Sequence, residues 1–369
     1  MQPPEDLRIL VTGGSGFLGA GIVAALLERH PGWKVSVLDL RRPSEKILLR
    51  LERYLQADIA DEDSVPAAFK DYHPDLVIHT AGIIPARKLR YSTRKKDWER
   101  VKSINYDGTR HVLAATLASG CRRFVYTSSC TTVIDDLDHD YYNADETVPL
   151  GFATLHYGKS KTLAEQHVLD LSHAKEHGLL ACALRPCTII GPGDPAVIAL
   201  IHDLIAKRET NFIIGDGDNL YDWMYIDNAV LAHILAAENL LTSHTAAGEA
   251  FFISNQEPAY FWDFLAAIWA EFGHVPTRRW YIPVGLAWVA GWAAEWVTWT
   301  TGGAATLDRG SIKDGIRTVF LNNDKARSVL GYVPVVGLAE GVRLACDDFK
   351  KQMATRNTAD GILNEKTKE

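Results

Sequence analysis

The chain has five cysteines, Cys121, Cys130, Cys182, Cys187 and Cys346, and no two of them stand in a CxxC spacing. An odd, scattered set excludes a zinc knuckle and a disulfide framework, and points to a reducing, intracellular compartment. No His, Cys, Asp or Glu spacing marks a metal site, and none is expected. Also missing is an unbroken apolar run of about 18 residues, so an ordinary spanning helix is not expected. Pro3, Pro4, Glu5 and Asp6 occupy the start of the chain where a signal peptide would carry its apolar region. Excess positive charge is absent too. With 39 Lys and Arg against 46 Asp and Glu, the net charge is −7. That is a poor basis for nucleic-acid binding, which needs clustered cations, and no nucleic-acid partner is expected.

What is present is an ordinary globular composition: 47% hydrophobic, 23% charged and 9% aromatic over 369 residues. Short apolar runs alternate with segments of helical period. Strands are expected at Leu7–Val11, Lys34–Leu40, Tyr54–Ala57, Leu76–His79, Arg123–Thr127 and Leu179–Leu184. Helices are expected at Phe17–Arg29, Asp61–Lys70, Lys102–Ser119 and Tyr157–Glu176. This alternation predicts an α/β fold, a doubly wound parallel (Rossmann) sheet. After Pro186 the pattern loosens. Helices are expected at Ala196–Lys207, Asp227–Leu241, Phe261–Phe272, Val284–Thr300, Asn323–Leu330 and Leu338–Met353, with short strands at Phe212–Ile214 and Phe251–Ser254. The reading divides the chain into a dinucleotide-binding domain over 1–185, a mixed region over 186–355, and a polar, frayed tail over 356–369. The mixed region combines a smaller, mostly helical substrate-binding lobe with the last sheet elements.

Thr12-Gly13-Gly14-Ser15-Gly16-Phe17-Leu18-Gly19 joins the first strand to the first helix. Gly13 permits the tight turn, Gly16 lets backbone approach a pyrophosphate, and Gly19 lets helix and strand pack closely. The helix N-terminus adds free N–H groups and a positive dipole end. Asp39, 20 residues after Gly19, ends the second strand, where a carboxylate accepts hydrogen bonds from the adenosine ribose and repels a 2′-phosphate. NAD is therefore favoured, while Arg41 and Arg42 leave NADP open. Cofactor contacts are expected from Gly13, Ser15, Gly16, Phe17, Leu18, Gly19 and Asp39. Asp58, Ile59, Ala81 and Gly82, at the following strand ends, are expected to meet adenine and ribose. His79 reads as a core histidine.

Tyr157 and Lys161 share one helix face. A phenol is a poor base at neutral pH, and a neighbouring ammonium favours its phenolate. Lys161 is also a candidate to hold the nicotinamide ribose. Ser129, with Ser128 in reserve, ends the fifth strand at the sheet edge where such folds bind ligands, and is placed to hold a substrate oxygen. Asn105 is a candidate to hold a proton-relay water, or else a structural amide.

With TGxxGxxG, the Asp39 strand end, YTSS at Tyr126–Ser129, YxxxK at Tyr157–Lys161 and LRP at Leu184–Pro186, the chain resembles the extended short-chain dehydrogenases. The stretches Leu184–Asp194, Gly217–Asn228, and Phe251–Pro258 with Phe261–Phe264, resemble the 3β-hydroxysteroid dehydrogenase branch. Within it they most resemble the fungal sterol-4α-carboxylate 3-dehydrogenases (decarboxylating). The resemblance covers roughly residues 7 to 350. It implies oxidation of a 3β-hydroxyl with Tyr157 as base, NAD as hydride acceptor and loss of carbon dioxide from a β-keto acid. It further implies a cofactor contact at Pro186, a homodimer, and work in the cytoplasm or on the cytoplasmic face of the endoplasmic reticulum. The substrate is then an apolar sterol or terpenoid. Ile83–Arg100 and Cys130–Leu155 differ from the sterol enzymes, which keeps another polycyclic terpenoid alcohol as an alternative. A nucleotide-sugar epimerase or dehydratase shares the same fold and Ser/Tyr/Lys group.

Two patches stand apart. Arg87, Lys88, Arg90, Arg94, Lys95, Lys96 and Arg100 crowd one segment, either as a solvated helix start or as a site for a substrate carboxylate or anionic lipid. Trp288, Trp292, Trp296 and Trp299 fall within a roughly 80° arc of one helix. Residues 284–300 thus read as a peripheral membrane contact or as a cover over an apolar cleft.

Overall fold

The computed structural model describes residues 3–174, 176–194, 196–301 and 308–366. Seven parallel strands form its main sheet: β1 (Arg8–Thr12), β2 (Lys34–Asp39), β3 (Arg53–Gln56), β4 (Leu76–His79), β5 (Arg123–Thr127), β6 (Leu180–Pro186) and β7 (Ala250–Ile253). Their spatial order is β7-β6-β5-β4-β1-β2-β3. The order reverses between β1 and β4, which pair in register from Ile9↔Leu76 to Thr12↔His79. At such a reversal the flanking helices leave on opposite faces and open a crevice beyond the strand ends.

The strands read as continuous apolar runs because both faces are covered. Ile9 and Val11 point to one face, with Val37, Ile78 and Val125, and meet Ile22, Leu26 and Val230 from helices Phe17–Arg29 and Ile226–Leu241. Leu10 points to the other, with Leu38, Val77 and Phe124, and meets Val112, Leu113, Ala164 and Val168 from helices Gly108–Ala118 and His156–His173. A third apolar cluster, built on Ile198, Trp223, Phe264, Trp269 and Val342, joins the later helices to the strand Trp223–Tyr225. All five cysteines are free and buried.

Three expectations change. The single helix read over Lys102–Ser119 begins earlier, at Lys95. It is broken by a widened i→i+5 turn over Ser103–Asp107 before resuming at Gly108. Charge in Lys95–Lys102 had masked its helical character. The helix expected at Asp61–Lys70 is shorter, Ser64–Phe69, because Asp61 and Asp63 form a turn in which the Asp61 carboxylate accepts from the Asp63 N–H. The final helix runs from Leu338 to Lys366 rather than fraying after Thr355, since no proline stops it. Short strands at Tyr141–Ala144 and Val319–Leu321 were not foreseen. They exist by pairing with each other across the chain, and such pairings leave little local signal.

Helix Phe17–Arg29 enters so close to β1 that a Cβ on Gly19 would stand 2.1 Å from the Gly13 carbonyl oxygen. Gly19→Ala is therefore expected to destabilise the fold by about 1–3 kcal/mol through overpacking, read as a lowered midpoint in chemical denaturation.

Candidate active site

The carboxyl ends of β1, β2, β4, β5 and β6 converge on one edge, and the candidate residues line it. At Gly13 the chain turns with φ of +71°, and the loop closes where the Gly16 N–H donates to the Gly13 carbonyl at 2.9 Å. Phe17 and Leu18 open the helix, whose first N–H groups have no partner four residues back. Asp39 ties the loop to the β2 end. Its Oδ2 accepts from the Ser15 N–H at 3.0 Å and its Oδ1 from the Arg41 N–H at 2.9 Å. The Ser15 hydroxyl donates to the Arg41 carbonyl at 2.6 Å. Arg42 pairs outward with Glu45. The Asp58 Oδ1 accepts from the Ala60 N–H at 2.9 Å, and Ile59 is buried against the second core cluster. Ala81 and Gly82 run past the loop toward Lys161; a Cβ on Gly82 would lie 3.0 Å from Asn105 Oδ1 and 3.5 Å from Lys161 Nζ.

Helix His156–His173 carries Tyr157, Lys161 and Glu165 on one face, and all three are buried. Lys161 Nζ donates to the Thr127 carbonyl at 2.8 Å, with the Tyr126 ring 5.1 Å away. Burial lowers its pKa to about 8, against the pull of Glu165. Burial drives the Tyr157 phenol well above its ordinary value. The Ser129 hydroxyl and Arg90 draw it back down, while Cys130 and Asp135 push it further up. Without added positive charge this phenol stays protonated at neutral pH. A positive charge arriving in the cleft would lower that value.

The two serines separate clearly. Ser128 donates its hydroxyl hydrogen to Glu165 at 2.5 Å. Ser129 accepts from the Thr131 hydroxyl at 2.9 Å and the Thr131 N–H at 3.3 Å, and its own hydroxyl is turned to the Tyr157 phenol. Pro186 closes β6 and its carbonyl accepts from the Cys130 N–H at 3.1 Å. His79 is fully buried between the Thr12 and Thr109 hydroxyls, at 2.6 and 3.0 Å. Burial lowers its pKa to about 3, which makes it a neutral core group.

Asn105 sits in the widened turn and has both amide hydrogens committed, to the Ile83 carbonyl at 3.0 Å and the Ser160 hydroxyl at 3.1 Å. Its Oδ1 accepts from the Ile83 N–H at 2.8 Å, and its backbone carbonyl accepts from Thr109. The side chain clamps the loop after β4 to the helix of Tyr157. Of its two readings as relay amide and structural amide, these bonds fit the second.

Sequence reasoning had left Glu165, Arg185 and Asp135 unassigned. Glu165 was legible as the next turn after Lys161. Asp135 is buried, with Oδ2 accepting from the Gly158 N–H at 3.2 Å and Oδ1 3.7 Å from Arg90. Burial raises its pKa to about 6, against the pull of Arg90. Arg90 also pairs with Asp314 at 3.0 Å, and Asp314 is shared with Tyr91 and Arg317. Arg90 thus leaves the solvated basic cluster and enters the site, whereas Arg94, Lys95, Lys96 and Arg100 are exposed. The side chains of Arg87 and Lys88 lie outside the described residues.

Helix Val284–Thr301 seats Ala287 against Ile312 and turns Trp292 and Trp296 outward, at 57% and 61% exposure. Trp288 lies under Arg309 and Lys313 and borders a cavity of about 400 Å³ with Leu137, Val284, Ile316 and Arg317. Trp299 falls outside the described side chains. No described helix is long and apolar enough to cross a membrane.

Fold and relatives together define an oxidoreductase that acts on a CH–OH group with a nicotinamide dinucleotide. Residues 10–284 match the 3-beta hydroxysteroid dehydrogenase/isomerase family, and the chain belongs to that family. It is 35% identical to the decarboxylating sterol-4-alpha-carboxylate 3-dehydrogenase of Schizosaccharomyces pombe, over 92% of this chain and 97% of that one. The mouse enzyme of the same name is 30% identical, over 93% and 91%. Among solved structures, the UDP-glucose 4-epimerase of Thermus thermophilus in complex with NAD superposes with a TM-score of 0.69 and 25% identity, over 93% of this chain and 99% of that one. The loop fits a dinucleotide on its own terms, with a glycine cradle, helix N–H groups that have no partner four residues back, and the Asp39 carboxylate at the end of β2.

Asn105→Ala would release three hydrogen bonds, two of them to the backbone of Ile83. It is expected to lower stability by about 2–3 kcal/mol, measured by urea denaturation, with the loss accompanied by faster hydrogen exchange in residues 81–84.

Proposed function

We propose that the chain oxidises the 3β-hydroxyl of a 4α-carboxysterol with NAD, and that the resulting β-keto acid loses carbon dioxide. The observation that carries this reading is the near end-to-end match to sterol-4-alpha-carboxylate dehydrogenases, joined to an intact Ser129, Tyr157 and Lys161 group. When bound, the oxidised dinucleotide supplies the hydride acceptor and a positive charge. Gly13, Gly16 and the N-terminus of helix Phe17–Arg29 would hold its pyrophosphate, and Asp39 its adenosine ribose. That carboxylate disfavours a 2′-phosphate, which supports NAD over NADP. Lys161 would hold the second ribose.

Ser129 turns its hydroxyl hydrogen to the substrate oxygen, and the Tyr157 phenolate takes the proton from that oxygen as the carbonyl forms. Lys161 keeps the phenolate accessible by its charge. Arg90, the cation of the basic segment whose charge acts on Tyr157, is assigned the substrate carboxylate. Loss of carbon dioxide then follows from the ketone, which accepts the electron pair as an enolate. The outward tryptophans of helix Val284–Thr301 suit a lipid interface, from which such a substrate would arrive. Full-length similarity to the sterol enzymes outweighs the epimerase reading, which rests on shared fold.

Incubation with a 4α-carboxy-3β-hydroxysterol and NAD, or NADP in parallel, is expected to yield reduced cofactor and carbon dioxide, with NAD preferred. Tyr157→Phe should cost about 10²–10⁴-fold in kcat. Reduction with a non-carboxylated 3β-alcohol alone would keep the dehydrogenase and remove the decarboxylation. In liposome co-sedimentation, Trp292→Ala with Trp296→Ala should release the protein; an unchanged bound fraction would remove the membrane contact.

A further inference from the structure

We propose that Glu165, held by Arg185 and Ser128, is a positioning residue for Lys161. It fixes the register of helix His156–His173 against β5 and sets a negative charge one helical turn from the lysine.

Three successive turns of this helix address three successive residues at the β5 end. Tyr157 stands by Ser129, Lys161 donates to the Thr127 carbonyl, and Glu165 accepts from the Ser128 hydroxyl. Glu165 is then locked from β6. Arg185 Nε donates to both carboxylate oxygens, at 3.1 and 3.0 Å, and Nη2 donates to Oε1 at 2.6 Å. Glu165 is fully buried and Arg185 is 4% exposed. The Arg185 Nη1 has no hydrogen-bond partner, and the guanidinium lies 5.2 Å from the Phe252 ring centre.

A buried ion pair is a weak source of stability, since apolar residues of equal volume do as well. Its charge is more informative than its packing. Lys161 faces Tyr157 and Glu165 on its own helix, the Thr127 carbonyl and Tyr126 ring on β5, neutral His79 on β4, and Asn105 with Gly82. Glu165 supplies the opposing charge among these groups. Burial lowers the lysine to about 8 and Glu165 raises it. A lysine in this range holds its ammonium below that pH and loses it above. Removing Glu165 therefore moves the loss to lower pH.

The inference rests on Tyr157 and Lys161 being the proton-transfer pair, so one readout is independent of turnover. Full-length wild type, Glu165→Gln and the double variant Glu165→Gln, Arg185→Met are labelled with trace acetic anhydride from pH 6 to 10, without cofactor. Lys161 modification is followed by mass spectrometry. The ammonium does not react, so both variants should label Lys161 about tenfold faster than wild type at pH 7. The upper pH limb of kcat should fall in step. Glu165→Gln alone should melt lower, because Arg185 loses its partner, while the double variant recovers the melting temperature and keeps the altered labelling. Unchanged Lys161 labelling in the folded double variant would overturn the proposal. Altered labelling with no sterol turnover in wild type would support the positioning role and sink the substrate assignment instead.

Discussion

The bond on which the site depends is the one from Lys161 Nζ to the Thr127 carbonyl. A buried ammonium is costly unless a dipole or charge meets it. The strand-end carbonyl meets this one because β5 stops there, leaving its oxygen without a ladder partner. Helix and sheet edge are thereby joined through a polar contact that also carries chemistry. The same contact fixes where Tyr157 stands, one turn earlier, and hence its place beside Ser129.

The sheet order explains why the other groups arrive at this edge. All seven strands are parallel, so every loop leaving a carboxyl end falls on one side. The reversal between β1 and β4 opens the space between the glycine loop and the Ala81–Gly82 loop. Asp39 then does structural work before any ligand binds. Its two oxygens hold the Ser15 and Arg41 N–H groups, so the loop keeps its shape, and each oxygen retains a further lone pair.

What the sequence made legible was local. The glycine loop, Asp39, and the Tyr157–Lys161 pair are defined by spacing within one turn or one strand–helix unit, and the structure sets them on the expected elements. The first six strands were legible because burial on both faces makes them uninterrupted apolar runs. The widened turn at Ser103–Asp107 has no such signature, since it differs from a helix by one hydrogen-bond step. Nor does the Arg90, Asp135, Asp314 and Arg317 group, whose members come from distant segments and meet only after the lobe folds back. Glu165 is the intermediate case. Its place on the Tyr157–Lys161 face was readable, but its partner on β6 was not.

Two buried carboxylates, Glu165 on helix His156–His173 and Asp135 against its first turn, are held differently, and their difference orders the site. Glu165 is saturated, with Arg185 spanning both its oxygens and Ser128 closing the remainder. Asp135 is not. One oxygen caps Gly158 and the other has no hydrogen bond, only Arg90 at 3.7 Å. A saturated pair resists rearrangement, because moving either partner strands a charge. A loosely held pair can exchange partners at small cost. The stiff end lies toward β5 and β6, beside Lys161. The adaptable end lies toward Arg90, Asp314 and Arg317. Within a fold shared with UDP-glucose 4-epimerase, the saturated Glu165 pair can thus stay fixed while the groups around Arg90 and Asp135 rearrange.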